Sequence, residues 1–173
     1  MNDGPRTLRG WSPIALSVIV ADQVTKTWAV RSLTDRDVDL VWTLRFHLSR
    51  NTGMAFSTGR NMGPIIGVLA LVVVVMLLLS LKRQPGRSTD VAVGLIVGGA
   101  IGNVLDRLFR SPGWFRGAVI DFIDLQWFPI FNVADMGVTI GGALLVVASW
   151  QLGRAARDPV PGHGDDRDVE AST

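Results

Sequence analysis

Four stretches of about twenty residues are apolar at nearly every position. Residues 62–81, "MGPIIGVLALVVVVMLLLSL", carry no charge, and neither do residues 136–153, the core of an element predicted over 133–153. Such runs match a hydrocarbon layer of ~30 Å at ~1.5 Å per helical residue. Residues 11–30 and 91–109 have a similar length but hold Asp22 and Lys26 in the first, and Asn103, Asp106 and Arg107 in the second. The pattern predicts a mainly α membrane protein with four transmembrane helices. A cleaved signal peptide is the rival for the first. Ile19 and Ala21 ahead of Asp22 make a poor small-x-small cleavage site, so an uncleaved helix is expected.

Between the first two spans the period changes. Leu40, Trp42, Leu44, Phe46 and Leu48 alternate with mostly polar neighbours, a period of two that predicts a half-buried strand. "NTG" at 51–53 supplies a turn. A small extracytoplasmic β-element over about 38–60 is expected, resting on the membrane surface or over the helices. Gly94, Gly98 and Gly102, with Gly137 and Gly141, recur at spacing four, which lets helix backbones approach closely in lipid.

Charge then sets direction. Arg6 and Arg9 precede the first span, Lys82, Arg83 and Arg87 separate the second from the third, and Arg154 and Arg157 follow the fourth. With four spans all three clusters fall on one side, which the positive-inside rule makes cytoplasmic. Both termini are expected there, with residues 154–173 a disordered, charge-rich tail. The net charge of +2 is therefore a topology signal, and no nucleic-acid partner is expected. With no cysteine, thiolate metal sites, disulfides and cysteine nucleophiles are excluded. The two histidines, His47 and His163, are far apart, so no metal or other cofactor is expected.

Ionisable groups inside a span cost a few kcal/mol each, so they need partners or a task. Asp22 and Lys26 share a helical face, as do Asn103, Asp106 and Arg107. A structural network of Asp22–Lys26 and Asp106–Arg107 pairs explains them as well as direct chemistry does. Asp121 and Asp135 differ, for neither has a cation close in sequence, and both flank the outer end of the fourth span. Helix capping accounts for Asn132 or Asp135 but not for Asp121. Two carboxylates converging in an apolar setting share a proton, and such a pair activates water for amide hydrolysis without a metal or serine. Asp124, three residues beyond Asp121, is an equal candidate for the second acid on spacing alone.

Five motifs occur in order: "DQVTK" (Asp22, Gln23, Lys26), "NTGMAFS" (Asn51, Gly53, Ala55, Phe56), "GGAIGNVLDR" (Asn103, Asp106, Arg107), "VIDF" (Asp121) and "FNVAD" (Asn132, Ala134, Asp135). Together they resemble the lipoprotein signal peptidase (signal peptidase II) family of membrane aspartic proteases. The resemblance implies a catalytic pair of Asp121 and Asp135, with Asp124 a bystander. It implies a supporting and substrate-binding shell of Asp22, Lys26, Asn51, Gly53, Asn103, Asp106, Arg107, Asn132 and Ala134. It further implies a four-helix bundle with an extracytoplasmic β-cradle and a surface amphipathic segment, acting as a monomer in the bacterial inner membrane. The substrate would be a prolipoprotein, cut just before a diacylglyceryl-modified Cys. Two other classes stay open on residue chemistry: a proton- or cation-coupled transporter using Asp22, Asp106 and Asp135, and a purely structural membrane subunit.

Overall fold

The computed structural model describes residues 10–53, 63–80 and 87–155. Within them the chain forms helix α1 (Ser12–Ser32), strands β1 (Val38–Val41) and β2 (Leu44–Asn51), helices α2 (Gly63–Ser80) and α3 (Arg87–Phe109), strand β3 (Val119–Asp124) and helix α4 (Val133–Ala155). The fold is mainly helical with one small antiparallel sheet. Helix α3 packs against all three other helices. The segments Thr89–Phe109 and Val133–Gln151 are long and apolar enough to cross a membrane by length and composition. Residues 54–60 of the expected β-element, with Ala55 and Phe56, lie outside the described residues, as do Arg6, Arg9, Lys82, Arg83, Arg157 and residues 156–173.

The burial pattern is inverted relative to a protein bathed in water. Leu16, Val20 and Val24 on α1, Val68, Leu69 and Val72 on α2, and Ile140, Val146 and Val147 on α4 are exposed. Asp22, Lys26, Asp106, Arg107 and Asn132 are buried. Exposing that much contiguous apolar surface to water is unfavourable at ~25 cal/mol per Å², whereas a lipid environment removes the cost.

Small residues make the helix contacts close. A Cβ on Gly98 would lie 2.7 Å from the Ala15 carbonyl oxygen, and one on Gly102 would lie 2.6 Å from Asp22 Oδ2. Backbone and carboxylate occupy the space that a methyl group needs. Beside these contacts, Ala15, Val74, Val93 and Val97 form an apolar cluster joining α1, α2 and α3.

The sheet runs in the order β1-β2-β3. Ser49 stands opposite Asp121 and Phe46 opposite Ile123, so β2 carries one extra residue between those positions, a β-bulge. A second cluster, Ala29, Leu33, Ile120 and Phe122, seats the sheet on the end of α1. The Trp28 ring lies 5.3 Å from Phe46 and 6.0 Å from Phe122, both edge-on. The alternating run read as one strand is in fact a hairpin. Trp42 adopts φ 52 between β1 and β2 and is 99% exposed. No glycine or asparagine marks this turn, so periodicity ran through it.

Candidate active site

The site forms where the C-terminal halves of α1 and α3 and the N-terminus of α4 meet the sheet. Asn132 is the N-cap of α4 and Asp135 its third residue. The Asp135 N–H donates to Asn132 Oδ1 at 2.9 Å, and the Asn132 N–H donates to Asp135 Oδ2 at 3.2 Å. This reciprocal arrangement is a capping box with an acid in place of the usual glutamate. The next free amide, that of Ala134, donates to Asp22 Oδ1 at 3.0 Å, so α1 supplies part of the cap of α4.

Asn132 also reaches the other acid. Its Nδ2 donates to Asp121 Oδ1 at 2.6 Å and to Asn103 Oδ1 at 3.2 Å. Asp121 is presented by β3, opposite Ser49, and Asn51 at the end of β2 donates to its Oδ2 at 3.3 Å. The sheet therefore places Asp121 and the helix start places Asp135, with one asparagine bonded to both. Burial, then the nearby Asp135 charge, pushes the Asp121 carboxyl up to about 7, against hydrogen bonds from Asn132 and Asn51 and the Lys26 charge.

Below the two acids lies a buried ionic network. The Lys26 ammonium meets Asp22 Oδ2 at 2.8 Å, Asp106 Oδ2 at 2.9 Å and Asn103 Oδ1 at 2.8 Å, which occupies its three donors. Because Asn103 receives two donors on its oxygen, its Nδ2 is left to donate to Asp135 Oδ1 at 2.8 Å. Gln23 Nε2 links Asp22 Oδ2 at 3.1 Å to the Gly102 carbonyl at 3.1 Å. Asp106 further binds Arg110 Nε at 2.5 Å and the Ile120 N–H at 3.1 Å, tying β3 to α3.

Two sequence expectations change. Asp106 pairs with Lys26 and Arg110, not with its neighbour Arg107. On a helix i and i+1 diverge, so adjacency misled. Arg107 is buried, its Nη2 donates to the Gly53 carbonyl at 3.4 Å, and its Nη1 has no hydrogen-bond partner among the described residues. Nor are the two acids remote from cations: Lys26 and Arg107 both act on Asp121 through space.

Asp124 points elsewhere. Its carboxylate receives Arg45 Nε at 2.7 Å and the Gln126 N–H at 2.6 Å. Burial alone would raise its pKa, but the Arg45 and Gln126 hydrogen bonds and the Arg45 charge hold it below the ordinary value. Among the shell residues sequence reasoning left out Gln23 and Arg110. Gln23 lies inside the "DQVTK" motif, and Arg110 is four residues beyond Asp106, the spacing that signals a helical ion pair.

Residues 14–151 match the family model described as signal peptidase (SPase) II. The chain is 41% identical over 147 residues to a lipoprotein signal peptidase of Mycobacterium avium, covering 84% of this chain and 81% of that one. It is 36% identical over 151 residues to the lipoprotein signal peptidase of Streptomyces coelicolor, covering 86% and 74%. A solved bacterial membrane enzyme, determined by the in meso method at 2.3 Å resolution, superposes with a TM-score of 0.73 at 26% identity, over 87% of this chain and 93% of that one. With a family model spanning most of its length and these relatives beside it, the chain belongs to the signal peptidase II family of bacterial membrane peptidases.

Proposed function

We propose that the protein is a membrane aspartic endopeptidase in which Asp121 and Asp135 act as a general acid and base pair on one water. The observation that carries this reading is Asn132 joining the buried Asp121 carboxyl, through its side chain, to the half-buried Asp135 carboxylate, through its backbone amide. Asp135 stands at a helix N-terminus and accepts N–H donors from Asn103 and Asn132, and the role of base is assigned to it. Asp121 is buried, its carboxyl pushed up to about 7, and the role of acid is assigned to it. Charge balance supports the same state. Asp22, Asp106, Asp121 and Asp135 share this volume with Lys26, Arg107 and Arg110, and one proton on the pair brings the cluster to neutrality.

In the reaction the ionised Asp135 takes a proton from water as it attacks the scissile carbonyl. Asp121 donates its proton to the carbonyl oxygen, giving a neutral tetrahedral diol, and the pair then moves a proton to the leaving amine. Arg107, whose buried Nη1 has no hydrogen-bond partner among the described residues, is assigned as a donor for a substrate carbonyl.

The substrate proposed is a prolipoprotein, in line with the names of the relatives, and the cut is placed just before a diacylglyceryl-modified Cys, as the motif resemblance implies. Four transmembrane helices, cytoplasmic termini and a single copy complete the proposal. The acids then lie at the extracytoplasmic rim, where a lipid-anchored chain presents its scissile bond, so membrane depth supplies the proximity. A transporter is the weaker reading, because Asp22 and Asp106 are both committed to Lys26. The test is processing of a diacylglyceryl prolipoprotein by reconstituted Asp121→Asn and Asp135→Asn enzymes. Loss of cleavage in both, with helix content intact, is expected; normal cleavage by either refutes the proposal.

A further inference from the structure

The loop over residues 110–117, "RSPGWFRG", takes no part in the acid pair and is built in an unusual way. Trp114 and Phe115 adopt φ 52 and 64, a left-handed conformation that bulky side chains seldom occupy. Backbone bonds hold them there: Gly113 N–H to the Arg110 carbonyl at 2.6 Å, Trp114 N–H to Leu108 at 3.1 Å, and Gly117 N–H to Arg107 at 3.0 Å. A Cβ on Gly117 would lie 2.5 Å from the Arg110 carbonyl oxygen, so the chain turns there in contact with α3. The result of this constrained backbone is a Trp114 ring that is 88% exposed, beside an exposed Phe109 and an exposed Arg116.

Depth gives these side chains a meaning. The apolar segment Thr89–Phe109 has 21 residues and ends at Phe109. At ~1.5 Å per residue it is about as long as a hydrocarbon layer is thick, which puts Phe109 at the layer's outer edge. Trp114 is hydrogen-bonded back to Leu108, so it is held at the headgroup level rather than projected into water. Tryptophan is enriched at that level, and arginine there meets lipid phosphate. The loop contains no acid, and with Arg110 committed to Asp106 it offers Arg116 as a charge complement to an anionic leaflet. Trp127 and Phe128, both exposed, lie at the same end of the molecule ahead of α4.

We propose that loop 110–117 is a bilayer anchor: Trp114 and Arg116 seat in the outer-leaflet interface and fix the depth of Asp121. The linkage is short. Strand β3 starts at Val119, two residues past Gly117, and the Ile120 N–H is bonded to Asp106 on α3. The inference rests on the membrane-spanning reading, not on the aspartic chemistry.

The cysteine-free sequence allows a direct test. The full chain carrying Trp114→Cys, labelled with a nitroxide, is reconstituted into vesicles of phosphatidylcholine and phosphatidylglycerol, and Arg116→Cys serves as a second reporter should the first variant not fold. Oxygen should relax both labels more efficiently than a water-soluble nickel chelate does, to the degree seen for a headgroup-proximal lipid label. A fully aqueous response overturns the proposal. So does protection that appears only when prolipoprotein is added, which would make the loop a substrate surface, and so does spin–spin broadening from a second copy. Trp114→Ser should in addition slow processing several-fold in vesicles while leaving the rate in detergent unchanged, with Trp114→Phe intermediate. Equal vesicle rates for Trp114→Ser and the parent enzyme overturn the depth-setting role. The depth measurement needs no peptidase activity, so it stands or falls apart from the reaction.

Discussion

Asn103 and Lys26 meet at 2.8 Å, and that contact fixes which end of the Asn103 amide faces Asp135. A cation on the amide oxygen leaves the amide nitrogen as the only group able to turn toward the carboxylate. The buried ionic network and the acid pair are thus one assembly, with Asn103 as the joint.

Removing the cation should therefore damage both stability and chemistry. Lys26→Met strands Asp22 and Asp106 without their shared partner, and breaking a buried pair costs ~3–5 kcal/mol. Thermal unfolding in detergent should show a large drop. Restoring charge balance with Asp22→Asn in the same chain should recover part of it, and additive losses would contradict the network.

The capping box separates two effects at Asp135. Asp135→Asn keeps an oxygen able to accept the Asn132 N–H, so folding should be nearly unchanged while cleavage is lost. Asp135→Ala should lose cleavage and also about 1 kcal/mol of stability. Chemical denaturation alongside a processing assay distinguishes them.

Asp121 predicts a pH dependence. Its folded pKa, about 7, lies above the ordinary carboxyl value of 3.8, so the folded state binds a proton that the unfolded chain has released between those limits. Its contribution is fully present below the ordinary value and is lost as pH rises through about 7, on the order of 4 kcal/mol in all at ~1.4 kcal/mol per unit. Unfolding at pH 5 and pH 8 should show this fall, and Asp121→Asn should flatten it. Cleavage should decline over the same upper limb, because the proton needed by the carbonyl oxygen is gone.

Asp124 offers the matching control. Bound by Arg45 and lying apart from the pair, it should tolerate Asp124→Asn with near-normal cleavage and at most a modest stability change. Loss of cleavage with folding retained would return Asp124 to candidacy for the second acid.

Glycine substitutions test helix contact. Gly102→Ala drives a methyl group against Asp22 Oδ2 and should destabilise by ~1–3 kcal/mol. Gly142 on α4 has nothing within 4 Å of an added Cβ, so Gly142→Ala should be neutral or gain up to about 1 kcal/mol from helix propensity. Melting curves of the two variants should move in opposite directions.

The chain's own order determined a good deal. Apolar runs of spanning length are legible because lipid demands local satisfaction of every backbone hydrogen bond, and that makes a helix visible one segment at a time. The capping role of Asn132 and Asp135 is local too, and spacing alone raised it. What tertiary structure decided is nonlocal. Trp42 lies on the same alternation as Leu40 and Leu44, yet it forms the tip of a hairpin, because the pairing partner that breaks the strand is not written in the period. Strand β3 had no reading from sequence, for its identity depends on β2, some seventy residues earlier. Residue adjacency favoured Asp106 with Arg107, whereas the packed helices gave Asp106 to Lys26 on α1 and Arg110 one turn on, leaving Arg107 Nη1 without a partner among the described residues. Spacing could not choose between Asp124 and Asp135 as the partner of Asp121. The fold bonded Asp121 and Asp135 to one asparagine and gave Asp124 to Arg45, because successive side chains of a strand face opposite ways while a helix start gathers its acids around its free amides.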